Sequence, residues 1–244
     1  MLDTHQSGFI TESQPDSAAA FRPRAIAQKP LEALPKVIYL DAFGTLFGVK
    51  GSVGELYSNL ARTASVTTDT QAVNQAFYQS FAAAERMAFP DALPEAIPAL
   101  EFGWWKAIVA ETFERVGALE KFDDFDDFYV GLYGYFETAA PWQLYGDTLA
   151  ALNRWQKMGI ELGIISNFDS RLYRVLSVLG LASYFQSVTI SSEAGAAKPS
   201  AKIFRAALAK HGCTADQAWH VGDSESEDYA GAQAVGMRAI LIAR

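Results

Sequence analysis

The chain has a single cysteine, Cys213, and three histidines among its 244 residues. One thiol closes no intrachain disulfide, and with scattered histidines it builds no Cys/His zinc cage. A reducing compartment is the expectation. Basic residues are also short, 20 Lys and Arg against 28 Asp and Glu, giving a formal charge of −8. Phosphate-backbone binders need a basic face, so nucleic acid is not an expected partner. No apolar run approaches the ~18 residues of a membrane span, and no basic-then-apolar leader opens the chain. The reading is therefore a cytoplasmic protein without a membrane partner. The GxxxxGK[ST] loop, the GxSxG elbow and the HExxH helix are absent too, which removes the common nucleotide-triphosphate, serine-hydrolase and zinc-protease classes.

What is present is an ordinary globular composition, half hydrophobic, with mean hydropathy +0.04. The length suits one or two domains and a core able to support a concave site. Residues 1–35 are polar, lack any period and hold four of the nine prolines, so a flexible N-terminal tail is expected there. From Lys36 the texture changes. Val37, Ile38, Tyr39 and Leu40 form a short apolar run ending on Asp41, as suits a strand buried on both faces. IELGIIS (160–166), SVTIS (187–191), AWHV (218–221) and RAILI (238–242) repeat that pattern, with helix-like segments between them. In those segments Leu172, Val175, Leu176 and Leu179 recur at helical spacing, and Leu149, Leu152 and Trp155 share one face. Strands alternating with helices predict a parallel sheet.

Between Gly51 and about Pro141 helix-like stretches (53–64, 69–89, 101–117 and 123–137) follow one another without a convincing strand. The chain thus divides into an α/β core, 36–50 with 140–244, and a helical insertion, 51–139. The insertion's many aromatics read as the core of a small bundle, although adjacent Trp104 and Trp105 cannot both face inward on one helix. The acidic run KFDDFDDF, 121–128, reads as a solvated helix start. His220, inside a strand, reads as a core group, and His211 with Cys213 as a helix end.

In an open parallel sheet the carboxyl ends of the strands face a crevice surrounded by backbone amides and helix N-termini. Those ends carry Asp41, Ser166, Lys198 and Asp223. The set fits phosphoryl transfer. Asp41 can attack phosphorus, and Asp41 with Asp223 offers hard oxygen ligands for Mg²⁺. Lys198 can neutralise the transferring group, while Thr45 and Ser166 can donate to its oxygens.

DAFGTLF, IISNFD, AAKP and HVGDSESEDYAGA resemble the four motifs of the haloacid dehalogenase (HAD) superfamily of hydrolases, over roughly residues 36–244. The closer resemblance is to the branch with a helical cap after the first motif, and WQLYGDTLAAL, ISNFDSRL, KPSAKIF and AVGM point to one narrower group within it. This implies a Rossmann-like parallel-sheet core with helices on both faces and an inserted α-helical cap. It further implies Asp41 as nucleophile and metal ligand, with metal also held by the Phe43 backbone carbonyl, Asp223 and, through water, Asp228. Thr45 belongs to the first-motif turn, Ser166, Asn167 and Lys198 bind the phosphate, and the cofactor is Mg²⁺. The expected activity is hydrolysis of a small phosphorylated metabolite through an aspartyl-phosphate.

One departure weakens that activity. Family phosphatases usually read Asp-x-Asp, the second Asp acting as general acid and base, and here its place is Phe43. Loss of such a group costs roughly 10²–10⁴ in rate, and Glu227 is a candidate replacement. Family 2-haloacid dehalogenases also carry an aromatic there, yet they lack the fourth-motif metal acids kept here as Asp223 and Asp228. The order of expectation is a metal-dependent phosphohydrolase, then a dehalogenase, then a weakly catalytic protein binding phosphorylated ligands or a protein partner.

Overall fold

The computed structural model describes residues 34–244. The tail expected over residues 1–35 lies almost wholly outside them. Five strands, β1 (Val37–Leu40), β4 (Glu161–Ser166), β5 (Ser187–Ile190), β6 (Ala218–Gly222) and β7 (Arg238–Leu241), form one sheet in the order β5-β4-β1-β6-β7. All four pairings are parallel. Each strand read from the apolar runs is therefore found, and the core is α/β as expected.

Both faces of the sheet are covered, which is why β1 is apolar at every position. Ile38 and Leu40 pack with Leu152 of α5 (Thr148–Lys157) and with Leu172, Val175 and Leu176 of α6 (Arg171–Val178). Val37 and Tyr39, on the other face, pack with Ile203, Phe204 and Ala207 of α8 (Ala201–His211) and with Ala232 of α9 (Gly231–Ala234). A short helix, α7 (Ser191–Ala194), follows β5 directly. The expected shared face of α5 holds only in part, because Leu149 is 43% exposed.

Four helices, α1 (Val53–Thr63), α2 (Thr70–Ala83), α3 (Ile97–Arg115) and α4 (Phe125–Tyr135), occupy the stretch read as the insertion. Local sequence explains where they begin. Ser52 and Glu55 form a reciprocal capping box on α1. Asp69 caps α2 and Asp124 caps α4, accepting from Ala72 N at 2.6 Å and Asp127 N at 2.9 Å. The run of aspartates is thus a helix start. Gly54 lets α1 approach α2 closely, since a Cβ there would sit 2.4 Å from the Thr70 carbonyl oxygen. Tyr57, Phe77, Phe113, Phe122, Phe128 and Tyr129 fill the space between the helices. Two short strands flank the insertion and were not anticipated. β2 (Phe47–Val49) and β3 (Trp142–Leu144) pair antiparallel, Val49 opposite Trp142. Three residues carry too little period to be recognised alone.

Leu162 and Ile164 are fully buried in the middle of the sheet. Leu162→Ala is expected to cost about 2–5 kcal/mol, the usual range for opening a core cavity, read as a lowered urea midpoint with unchanged denaturant slope.

Candidate active site

Parallel pairing brings strand ends from distant parts of the chain to one level. Leu40 stands opposite Ile164 on one side and Val221 on the other, so Asp41, Ser166 and Asp223 emerge at the same edge. After Asp41 the chain turns sharply, with Leu46 N donating to the Ala42 carbonyl at 2.8 Å and Gly44 N to Phe47 at 2.9 Å. No backbone donor reaches the Phe43 carbonyl among the described bonds. The turn needs glycine at position 44, where φ is +84° and a Cβ would lie 2.5 Å from Asp223 Oδ2.

Lys198 is the centre of the arrangement. Its buried ammonium donates to Asp41 Oδ1 at 2.7 Å and to Asp228 Oδ1 at 2.5 Å. Burial alone would push the Lys198 pKa down, but the two carboxylates outweigh it and hold it above the ordinary lysine value. Asp228 also takes a bond from His220 Nε2 at 2.8 Å and one from Ser224 N at 3.0 Å. Burial opposes its charge, yet His220 and Lys198 keep its carboxyl well below the usual range. His220 is fully buried and pushed toward the neutral form, with Phe204 edge-on to its ring. The core reading of His220 was half the story, since it also orients Asp228.

Asp223 stands apart from these pairs. It is the exposed member of the group, and partial desolvation, followed by the neighbouring Asp41 carboxylate, raises its pKa. One oxygen from each of Asp41, Asp223 and Asp228 lies within 4.8 Å of the others. Three hard oxygen donors around a region of excess negative charge, beside an open backbone carbonyl, are a donor set that suits a divalent cation such as Mg²⁺.

Two expected phosphate donors have other partners. Thr45 Oγ1 donates to Asp223 Oδ1 at 3.0 Å, so it steadies the acid and its proton does not point to a phosphate. Asn167 accepts from Lys198 N at 2.7 Å and donates to the Lys198 carbonyl at 3.1 Å and to Glu227 Oε2 at 2.9 Å. It positions the lysine, and sequence spacing does not reveal such side-chain to backbone bonds. Ser166 is buried at the end of β4, and its hydroxyl has no side-chain partner among the described residues.

The insertion meets this edge through bonds that no motif announced. Arg86, in the loop after α2, donates to Glu227 Oε1 at 2.8 Å and also to the Lys198 carbonyl. Glu227 is thus engaged by Arg86 and Asn167. Trp105 Nε1 donates to Asp169 Oδ2 at 2.7 Å, and buried Glu101 accepts from Ser170 N at 2.9 Å and from the Ser170 hydroxyl. Arg171 grips Asp169 at 2.8 and 2.7 Å, with its guanidinium 3.8 Å from the Tyr133 ring centroid.

The model of haloacid dehalogenase-like hydrolases matches residues 35–236, nearly all of the described chain. The chain belongs to the haloacid dehalogenase-like hydrolase family. Haloacid dehalogenase-like hydrolase domain-containing protein 3 of Mus musculus is 35% identical over 214 residues, covering 85% of this chain and 82% of that protein. The narrower likeness read in WQLYGDTLAAL and its companions agrees with this relative. A HAD phosphatase from Thermococcus onnurineus shares 25% identity at a TM-score of 0.57, covering 86% of each chain. L-2-haloacid dehalogenase from Xanthobacter autotrophicus has the same fold, with TM-score 0.62 and 19% identity over 86% of this chain and 78% of that one. Among the described residues no helix is long and apolar enough to cross a membrane.

Removing one partner of a buried ion pair leaves the other charge uncompensated. Asp169→Ala in this hydrolase, which strands Arg171, is expected to cost about 3–5 kcal/mol. Calorimetric melting of this variant checks the loss, and Asp169→Leu combined with Arg171→Leu is expected to recover part of it.

Proposed function

We propose that this protein is a phosphohydrolase that cleaves small phosphomonoesters through an aspartyl-phosphate on Asp41, with Mg²⁺ as cofactor. The observation that carries this reading is the cluster of Asp41, Asp223 and Asp228 around one point with Lys198 among them. Carboxylates this dense repel any anionic substrate unless a cation offsets them, and a phosphate-bound metal site is the chemistry that uses them.

Mg²⁺, when bound by Asp41, the Phe43 carbonyl and Asp223, with Asp228 acting through water, supplies the charge that lets a phosphate dianion approach. The chain's own groups do the rest. Asp41 attacks phosphorus through the oxygen not held by Lys198, splitting one difficult displacement into two easier ones. Lys198 offsets charge on the transferring group, and the Ser166 hydroxyl donates to one of its oxygens. Asn167 keeps Lys198 in place, and Thr45 keeps Asp223 in place. The helices above exclude water from the site during transfer.

Phe43 transfers no proton, and the Glu227 carboxylate is engaged elsewhere, so the leaving group must depart without a general acid from that position. This same feature favours a second reading, displacement of halide from a 2-haloacid, which needs no leaving-group proton. The three carboxylates gathered at Asp41, Asp223 and Asp228 count against it, since without a cation they would repel a carboxylate substrate.

Acetyl phosphate and p-nitrophenyl phosphate are expected to turn over with Mg²⁺, and EDTA or Asp41→Asn should abolish both activities. Metal-independent halide release from 2-chloropropionate, with no phosphate release, would establish the second reading. Phe43→Asp is expected to raise turnover of β-glycerophosphate, an ester with a poor leaving group, by about 10² or more. A lower or equal rate in the folded variant would refute the role given to position 43.

A further inference from the structure

Above the reaction edge lies a chamber of about 530 Å³, within the range that encloses a drug-sized ligand. Its floor includes Phe43, Asn167, Ala197 and Glu227, each one or two positions from Asp41, Ser166, Lys198 or Asp228. The chamber therefore adjoins the residues flanking the reaction edge, the space open to a group that extends from a phosphorus atom at Asp41.

The walls are aromatic. Phe81 stacks on Trp105 with centroids 5.9 Å apart and meets Trp104 edge-on at 5.9 Å. Both indole N–H groups are taken, by the Glu85 carbonyl at 2.9 Å and by Asp169. What these side chains offer an occupant is ring face and ring edge, the geometry that planar aromatics prefer. The two cations among the described lining residues are also paired, Arg171 with Asp169 and Arg86 with Glu227. The remaining charged wall residue, Glu85, repels an anion. A carboxylate or a second phosphate would lose hydration here and find no free ionic partner.

The chemistry at the floor points the same way by an independent route. With phenylalanine at position 43, the leaving oxygen receives no proton from that position, which selects a group stable as an anion. An aryloxide, whose charge spreads into its ring, meets that demand, and an alkoxide does not.

We propose that the chamber binds an uncharged aromatic leaving group, so that the substrate is an aryl phosphate monoester. This rests on the phosphohydrolase reading above. In the first step an Asp41 carboxylate oxygen bonds to phosphorus as the phosphorus–aryl oxygen bond breaks, and the electron pair leaves on the phenolate oxygen. Water then adds to phosphorus, the bond to Asp41 breaks, and the carboxylate is restored. The water supplies the fourth oxygen and the protons of the released phosphate, and the phenolate takes its proton from bulk solvent.

The test compares kcat/KM for 2-naphthyl phosphate, phenyl phosphate and β-glycerophosphate, with acetyl phosphate as a small activated control. Phenol and 2-naphthol are nearly equally acidic, so their ratio reports the fit of the second ring. The naphthyl ester is expected to exceed phenyl at least tenfold and glycerophosphate by more than a hundredfold. Phe81→Ala and Tyr78→Ala are expected to bring the naphthyl-to-phenyl ratio toward one. Phe81 and Tyr78 are 44% and 53% exposed, so their truncation leaves the buried core intact, which a melting curve verifies. Turnover of acetyl phosphate with a naphthyl-to-phenyl ratio near one would overturn the chamber assignment and leave the phosphohydrolase reading standing. Release of phosphate from none of the four would overturn that reading instead. In that event, titration of intrinsic tryptophan fluorescence with 2-naphthol decides the chamber separately. Saturable quenching weakened by Phe81→Ala supports an aromatic occupant, and no quenching refutes it.

Discussion

One ammonium group holds the reaction edge together. Lys198 arrives from the loop between α7 and α8 and lies between carboxylates delivered by β1 and by the π-helical turn Glu225–Ala230. Without it, Asp41 and Asp228 would face each other across a poorly solvated space, where like charges are costly. The main chain on either side of this lysine is in turn fixed by both ends of the Asn167 amide. Three strand ends are thereby tied into one unit in which a single ammonium faces three carboxylates, Asp41, Asp223 and Asp228, a donor set with negative charge in excess that could hold a cation.

Much of the sheet could be read directly, because strands covered on both faces must be apolar throughout, and Val37–Leu40 and Gly163–Ile165 say so without help from their neighbours. Asp41 and Asp223 could be read for a related reason, since each directly follows a strand of a parallel sheet, whereas Lys198, in a loop, and Asp228, in the π-helical turn, were reached through motif spacing and family resemblance. The partners that Thr45 and Asn167 have within the protein could not be read from sequence, because a hydroxyl or amide can serve a ligand, an acid or the main chain equally well. β2 and β3 escaped notice since their partner is almost a hundred residues away. The aromatic side chains of the insertion illustrate a subtler limit. Composition identifies a bundle core, and Phe113 and Phe122 fulfil that role. It does not separate them from Phe81 and Tyr78, whose rings belong to a cavity wall.

The helices and the sheet edge share more than proximity. Glu101 receives both donors of Ser170, Trp105 reaches Asp169, Tyr133 lies against Arg171, and Arg86 bonds to Glu227 and to the Lys198 carbonyl. The first three surround the start of α6, a rigid footing with two acids fully buried. Arg86 differs in being largely exposed and in touching the carbonyl of the central lysine itself. It thereby links the insertion directly to the main chain of the residue at the centre of the reaction edge.

The pairing of β2 with β3 has a consequence for how such a protein can change over time. Since Val49 and Trp142 stand side by side, the chain departs from the sheet and returns to it at nearly the same spot. The helices strung between those two strands can lengthen, shrink or exchange their side chains without disturbing strand order beneath. Variation among those helices therefore leaves the strand ends, and the side chains they carry, where the sheet puts them.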